Sequence, residues 1–98
     1  MIWGIEMTES DIEYSKLKRG DNLIYARIMP KIEYYELLDV HLVSHNNEYC
    51  TVTDIKTRQT YLIEKRFSKY LLYTNRKLAL KYLKEQKEKN KDLVVFSE

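Results

Sequence analysis

Two histidines, one cysteine and nine tyrosines are the side chains of this 98-residue sequence with the clearest capacity for chemistry. His41 and His45 do not form a metal site. Four residues apart on a straight strand, they stand about 13 Å from each other, beyond the reach of one ion. They read as exposed histidines near a strand end. Cys50 alternates with Tyr49 and Thr51 and takes an inward-facing position, where a thiol packs as a small hydrophobe. A lone cysteine also excludes an internal disulfide. No serine, threonine or cysteine sits in a nucleophile elbow, and Gly4 and Gly20 are too far apart for a phosphate-cradling loop. Carboxylate pairs such as Glu6/Glu9 and Glu9/Asp11 read as solvated charges at a helix start. The expectation is a protein that is not an enzyme and uses no cofactor or metal.

Binding chemistry is better represented. Tyrosine offers a large contact area, few rotatable bonds and a polar tip, which suits a protein interface. Tyr25, Tyr49 and Tyr61 are assigned to the strand face opposite the smaller aliphatics. With Arg27 and His41 beside them they form the expected partner-binding set, and the same rings suit stacking on single-stranded bases. Lys77, Lys81 and Lys84 are a second candidate, spaced along a helix so that they can follow phosphates. Glu85 and Glu88 interrupt that run, and its plainer reading is a solvated helix face.

Charge separates the same two regions. The net charge is +2, but residues 1–64 hold seven Lys/Arg against eleven Asp/Glu, a net of −4, and residues 65–98 carry +6. An acidic body and a basic C-terminal part imply two different surfaces. With 44% hydrophobic and 33% charged residues, the composition is that of a folded globular protein. Apolar runs stop at four or five residues, far short of the twenty or so that span a bilayer. The acidic start, MIWGIEMTES, lacks the order of a signal peptide. A cytoplasmic location without membrane contact is expected.

The elements that must position these side chains are mostly strands. Asn22–Ile28 alternates Ile24, Ala26 and Ile28 against Leu23, Tyr25 and Arg27. Tyr34–Ser44 sets Leu38, Val40 and Leu42 against Asp39, His41 and Val43. Glu48–Asp54 and Thr60–Ile63 follow the same period of two, so four half-buried antiparallel strands are predicted. Met29-Pro30-Lys31 separates the first strand from the second. Asn46-Asn47 tolerates the positive φ angles of a tight hairpin, and Asp54 starts a longer turn through Arg58. Adjacent inward candidates Leu37 and Leu38 predict a bulge or bend in the long second strand, letting it serve both halves of a curled sheet.

Outside this meander, acids after Thr8 and a stop at Gly20 predict a helix over Glu9–Lys18, while Met1–Met7 reads as a strand or apolar arm anchored by Trp3. Glu64–Lys69 reads as a single 3₁₀ turn and Tyr70–Tyr73 as a short strand. Thr74 is placed to cap a helix from Asn75 to about Lys89, ended by Asn90, with a last strand at Leu93–Phe96. One domain over 1–98 is expected. Its parts are a barrel at about 20–74, an N-terminal extension over 1–19, a helix at 75–89 and a terminal strand at 93–96. The fold class is mainly β with helices (α+β): a small SH3-like antiparallel barrel with an N-terminal helical segment and a C-terminal helix. An open antiparallel sheet with helices on one face is the competing layout.

Three stretches carry a resemblance to small SH3-like proteins of bacteriophages and other mobile elements. They are Leu17-Lys18-Arg19-Gly20-Asp21 with the following Ile24-Tyr25; Tyr61-Leu62-Ile63 before a charged turn; and Tyr73-Thr74-Asn75-Arg76-Lys77, a strand entering a lysine-rich helix. The resemblance spans roughly residues 17–88, with the Trp3 segment outside it. It implies a barrel fold and no shared enzymatic residues. Its functional implication is a non-catalytic, anti-CRISPR-type inhibitor that occludes a host nuclease. The tyrosine face or an acidic body mimicking nucleic acid would do the blocking. A nucleic-acid-binding barrel is the alternative, and an oligomeric virion structural or assembly protein is a third.

Overall fold

The computed structural model describes residues 8–96, with side chains described through residue 89. The Met1–Met7 expectation lies outside the described residues. Five strands form one antiparallel sheet: β1 (Asn22–Met29), β2 (Tyr34–His45), β3 (Tyr49–Asp54), β4 (Thr60–Glu64) and β5 (Leu72–Tyr73). Their order is β4-β3-β2-β1-β5. Helix α1 (Lys65–Leu71) joins β4 to β5, and α2 (Arg76–Phe96) follows. The protein is thus a small α+β domain. Among the described residues β4 and β5 do not pair, so the sheet is open.

Period-2 patterning placed the four meander strands to within a residue or so at each end, but one face was not left for water. Both faces of β1 are buried. Leu23 packs inward with Leu38, Val40, Leu42, Cys50, Val52, Ile63 and Leu72, while Ile24 and Ala26 pack outward with Tyr73, Ala79 and Tyr82 of β5 and α2. Adjacent Leu37 and Leu38 therefore need no bulge, because each serves a different core. The irregularity in β2 instead lies between Leu42 and Ser44. It shifts the alternation so that His45 pairs with Cys50 on the inner side, whereas His41 faces outward opposite Thr53.

The turns lie where the sequence places them, but not all are closed in the expected way. The Asp54 carboxylate accepts the N–H groups of Lys56 and Thr57 at 2.7 and 3.2 Å, as an Asp-initiated turn requires. Asn46 does not use a positive φ. Its Oδ1 accepts the N–H groups of Glu48 and Tyr49 at 2.7 and 2.8 Å, closing the hairpin with the side chain. Gly20 has φ +92°, where a side chain would strain the backbone. Its N–H donates to the Leu42 carbonyl at 2.8 Å.

The segments outside the meander differ more. Glu9–Lys18 is not a helix; only Tyr14–Lys16 forms a 3₁₀ turn. Ten residues supply too few internal bonds to pay for helix nucleation, and tertiary partners take their backbone groups instead. Ser10 donates from N–H to the Lys69 carbonyl at 2.6 Å and from its hydroxyl to Leu72 O. Asp11 accepts two bonds from Thr74, through N–H and hydroxyl. Burial raises the Asp11 pKa, but these hydrogen bonds outweigh it and hold the carboxyl below its ordinary value.

The 3₁₀ expectation for Glu64–Lys69 is replaced by α1, a seven-residue helix. It is held by buried Ser68, whose hydroxyl meets the Tyr14 phenol, and by the Lys65 N–H donating to Glu48 O at 2.8 Å. Asn75, rather than Thr74, caps α2: its Oδ1 accepts the N–H groups of Lys77 and Leu78 at 2.8 and 3.3 Å. Backbone helix continues through Asn90 to Phe96, so the predicted strand at Leu93–Phe96 is helical. A four-residue apolar run suits either state, and a helix already under way extends at little cost.

Candidate partner-binding surface

β1 aims Arg27 to the inner side, directly opposite Glu36 of β2. Two residues earlier on the same side stands Tyr25, and Tyr34, opposite Met29, is diagonal to Arg27 across the pair. The sheet curls far enough that Tyr61 of β4 reaches this rim. Its ring centroid lies 5.4 Å from that of Tyr25 in an edge-on arrangement. The Arg27 guanidinium carbon stands 4.9 Å from the Tyr61 ring centroid and 5.3 Å from that of Tyr34. Tyr34 in turn donates its hydroxyl to the Glu36 carboxylate.

Each cation–π contact contributes about 0.5–1 kcal/mol at a partly exposed site, and the tyrosine pair a similar amount. The energies are small, but together they restrict an otherwise flexible arginine. Among the described residues Arg27 makes no ion pair. Burial raises the Tyr25 pKa against the opposing influence of Arg27. The hydrogen bond to Glu36, more than burial, raises that of Tyr34. Both effects favour the protonated phenols of Tyr25 and Tyr34 beside the Arg27 guanidinium. Tyr25, Arg27, Tyr34 and Tyr61 are all half-buried.

Of the five residues expected to form one interface, Tyr25, Arg27 and Tyr61 come together. Tyr49 and His41 do not. Tyr49 pairs with Glu64 and His41 with Asn22 and Thr53, all on the outer side. Nor is the Tyr25/Tyr61 side opposite the aliphatic core: both rings pack against it. Tyr34 was missed because its diagonal relation to Arg27 follows from pairing register, which the alternation within one strand does not reveal.

The basic candidates sit elsewhere. Lys77, Lys81 and Lys84 are exposed on α2, whose other side packs Ala79 and Tyr82 onto the sheet. The helix covers β1, β2 and β5 and leaves the outer side of β3 and β4 open, with Leu62 63% exposed there. A cleft of about 370 Å³ opens where β1 starts, lined in part by Asn22, Lys56 and Thr74. Asp39 and Arg76 line it too and neutralise each other in an ion pair.

Cys50 is fully buried, and burial pushes its thiol pKa up against the opposing hydrogen bond from Tyr14, the behaviour of a packing residue. Among the described residues no three His, Cys, Asp or Glu side chains are placed to hold a metal ion, and no helix is long and apolar enough to cross a membrane. The chain matches no protein-family model, no curated protein and no solved structure.

Proposed function

We propose that this chain is a non-catalytic binding protein of a phage or mobile element, acting as an anti-CRISPR-like inhibitor that occludes a host nuclease. The observation that carries the binding reading is the Arg27 guanidinium held beside Tyr34 and Tyr61, with Tyr25 against Tyr61. Arginine and tyrosine are the residues most enriched at the energetic centres of protein interfaces, and ordering them beforehand lowers the entropy lost on binding. The nuclease target rests on the resemblance to small mobile-element proteins and on the acidic first 64 residues. Several of those acids, including Glu33, Glu36, Asp39 and Glu48, are exposed.

We read the curled sheet as an opened SH3-like barrel. The meander of four strands, the short α1 and the return of β5 beside β1 support that reading.

The test uses the purified chain and the guide-loaded CRISPR effector of the host that carries the element. Target-DNA binding is followed as the chain is titrated in, at several salt concentrations. Loss of DNA binding through a salt-sensitive complex is expected. Undiminished effector activity at saturating chain overturns the proposal.

Exposure of Lys77, Lys81 and Lys84 on one helix favours a second reading, direct binding of nucleic acid. A gel-shift series separates the two. Binding that weakens steeply with salt supports nucleic acid, and no shift at moderate salt supports a protein partner.

A further inference from the structure

The two edges of the sheet are treated differently. At β5 the N-terminal segment supplies a hydrogen bond from the Ser10 hydroxyl to Leu72 O, with a second from Ser10 N–H to Lys69 O in the helix that leads into the strand. Along β4 nothing comparable exists among the described residues. Which β4 groups are left over follows from the ladder. Lys65 N–H donates to Glu48 O and Asp54 N–H to Gln59 O, each at 2.8 Å, one bond at either end of the β3–β4 pair. Bonded and non-bonded pairs alternate in an antiparallel ladder. Counting inward from both ends gives the same phase, with bonds at Cys50/Ile63 and Val52/Tyr61. The N–H and C=O groups of Thr60, Leu62 and Glu64 therefore point away from β3, toward the open edge.

Natural edges are usually blunted by lysine, proline or a bulge. β4, Thr60-Tyr61-Leu62-Ile63-Glu64, has no lysine or proline, and its register with β3 is unbroken. Its exposed side chains are also suited to meeting a copy of themselves. A two-fold axis through Leu62 pairs Leu62 with the partner's Leu62, and Thr60 with the partner's Glu64. Six backbone hydrogen bonds result. The two carboxylates are not opposed, because each Glu64 meets a threonine and already has Arg66 at 3.2 Å. Leu62, at 63% exposure, is covered by its counterpart. Tyr49, 37% exposed and diagonal to Leu62 on the outer side, extends the apolar strip on either flank of the axis.

We propose that β4 pairs with β4 of a second copy, joining two five-stranded sheets into one of ten strands. The pairing is isologous and uses up the open β4 edge of both copies, so it stops at a dimer. The contact is small beside the roughly 1,200–2,000 Å² of stable complexes, and the dimer is correspondingly weak and concentration-dependent. This proposal uses the outer side chains and edge backbone of β4; Tyr61, on the inner side of the same strand, is the one residue it has in common with the Arg27 patch, and the pairing does not rest on the inhibitor reading.

Sedimentation across micromolar to millimolar concentration reads it directly. The apparent mass is expected to rise from the 11.9 kDa of one chain toward twice that value. Leu62→Pro removes an N–H that faces away from β3, so the fold is retained and the dimer lost. Circular dichroism checks the fold. Register is read by oxidation. Leu62→Cys is expected to cross-link to itself quickly. Thr60→Cys and Glu64→Cys should do so only when mixed, and buried Cys50 does not compete. A mass fixed at 11.9 kDa through millimolar concentration overturns the proposal. So does growth beyond a dimer, or cross-linking of Leu62→Cys no faster than that of a loop control such as Thr57→Cys.

Discussion

The ring of Tyr25 lies 5.4 Å from that of Tyr61, although two strands separate β1 from β4 in the sheet. A flat sheet would hold strands three places apart at about 14 Å. The contact therefore measures how far the sheet curls on itself, and it brings an arginine from one edge of the meander under a tyrosine from the other. Structure and candidate interface share these atoms.

That sharing predicts a split between two tyrosines that look alike in sequence. Tyr61→Ala removes the edge-on partner of Tyr25, one cation–π contact to Arg27 and part of the inner core lining. It should lower unfolding free energy by about 2 kcal/mol, less than truncation of a fully buried ring. Tyr49→Ala, on the open outer side, should cost under about 0.5 kcal/mol. Urea unfolding of both variants reads the difference. Equal losses would place Tyr49 in a packed environment and contradict the face assignment.

Val40 is fully buried at the centre of the longest strand, opposite Leu23 on one side and Asp54 on the other. Val40→Asp would set a second carboxylate beside Asp54, whose oxygen is already committed to its turn. The expected cost is several kcal/mol, of the order of the whole stability of a domain this size. A cooperative thermal transition near that of the unmodified protein would contradict the observed register.

How far the sequence could be read depended on where each segment finds its partners. β1 to β4 follow from period-2 alternation because cross-strand neighbours are close in the chain and the turn residues Pro30, Asn46 and Asp54 announce the joints. The two-sided burial of β1 was not legible. Leu23 and Ile24 alternate normally, and only the distant α2 converts the second face into a core. The same holds for Glu9–Lys18, whose backbone is satisfied by Lys69, Leu72 and Thr74. Of the interface, Tyr25 and Arg27 were legible as a pair on one strand. Tyr34 and the displacement of Tyr49 depend on register and curl, which no local pattern encodes.

Alkaline pH should destabilise the fold through its tyrosines. Burial raises the pKa of Tyr14, Tyr25, Tyr73 and Tyr82, most of all for fully buried Tyr73, whose hydroxyl donates to Thr8 O at 3.4 Å. An unfolded phenol ionises at about pH 10. Above that value the unfolded chain has released protons that the folded chain still holds, so stability falls as pH rises. Below about pH 9 the contribution is fully present. Urea midpoints should decline from pH 9 to 11, with a shallower slope in Tyr73→Phe. A midpoint constant over that range would mean that these phenols ionise as freely in the fold as outside it.

The two candidate surfaces lie on different elements, so substitution can decide between them. If the inner rim binds the effector, Arg27→Ala and Tyr34→Ala should each weaken the complex by about 2 kcal/mol, roughly thirtyfold in affinity. Neither side chain lies in the buried clusters, so both variants should stay folded, with losses of only about 1–2 kcal/mol for the two cation–π contacts of Arg27 and about 0.5–1 kcal/mol for the one of Tyr34. Tyr49→Ala, on the outer side, is the matched control and should bind normally. Exchanging Lys77, Lys81 and Lys84 for glutamate reverses three exposed charges without touching the packed side of α2. A protein partner engaging the rim should tolerate that exchange, whereas nucleic acid following the helix should lose almost all binding, along with about three units of its salt dependence. Calorimetric titration of the effector complex with all four proteins reads both arms. Binding abolished by the lysine exchange and unchanged by Arg27→Ala would move function from the rim to the helix.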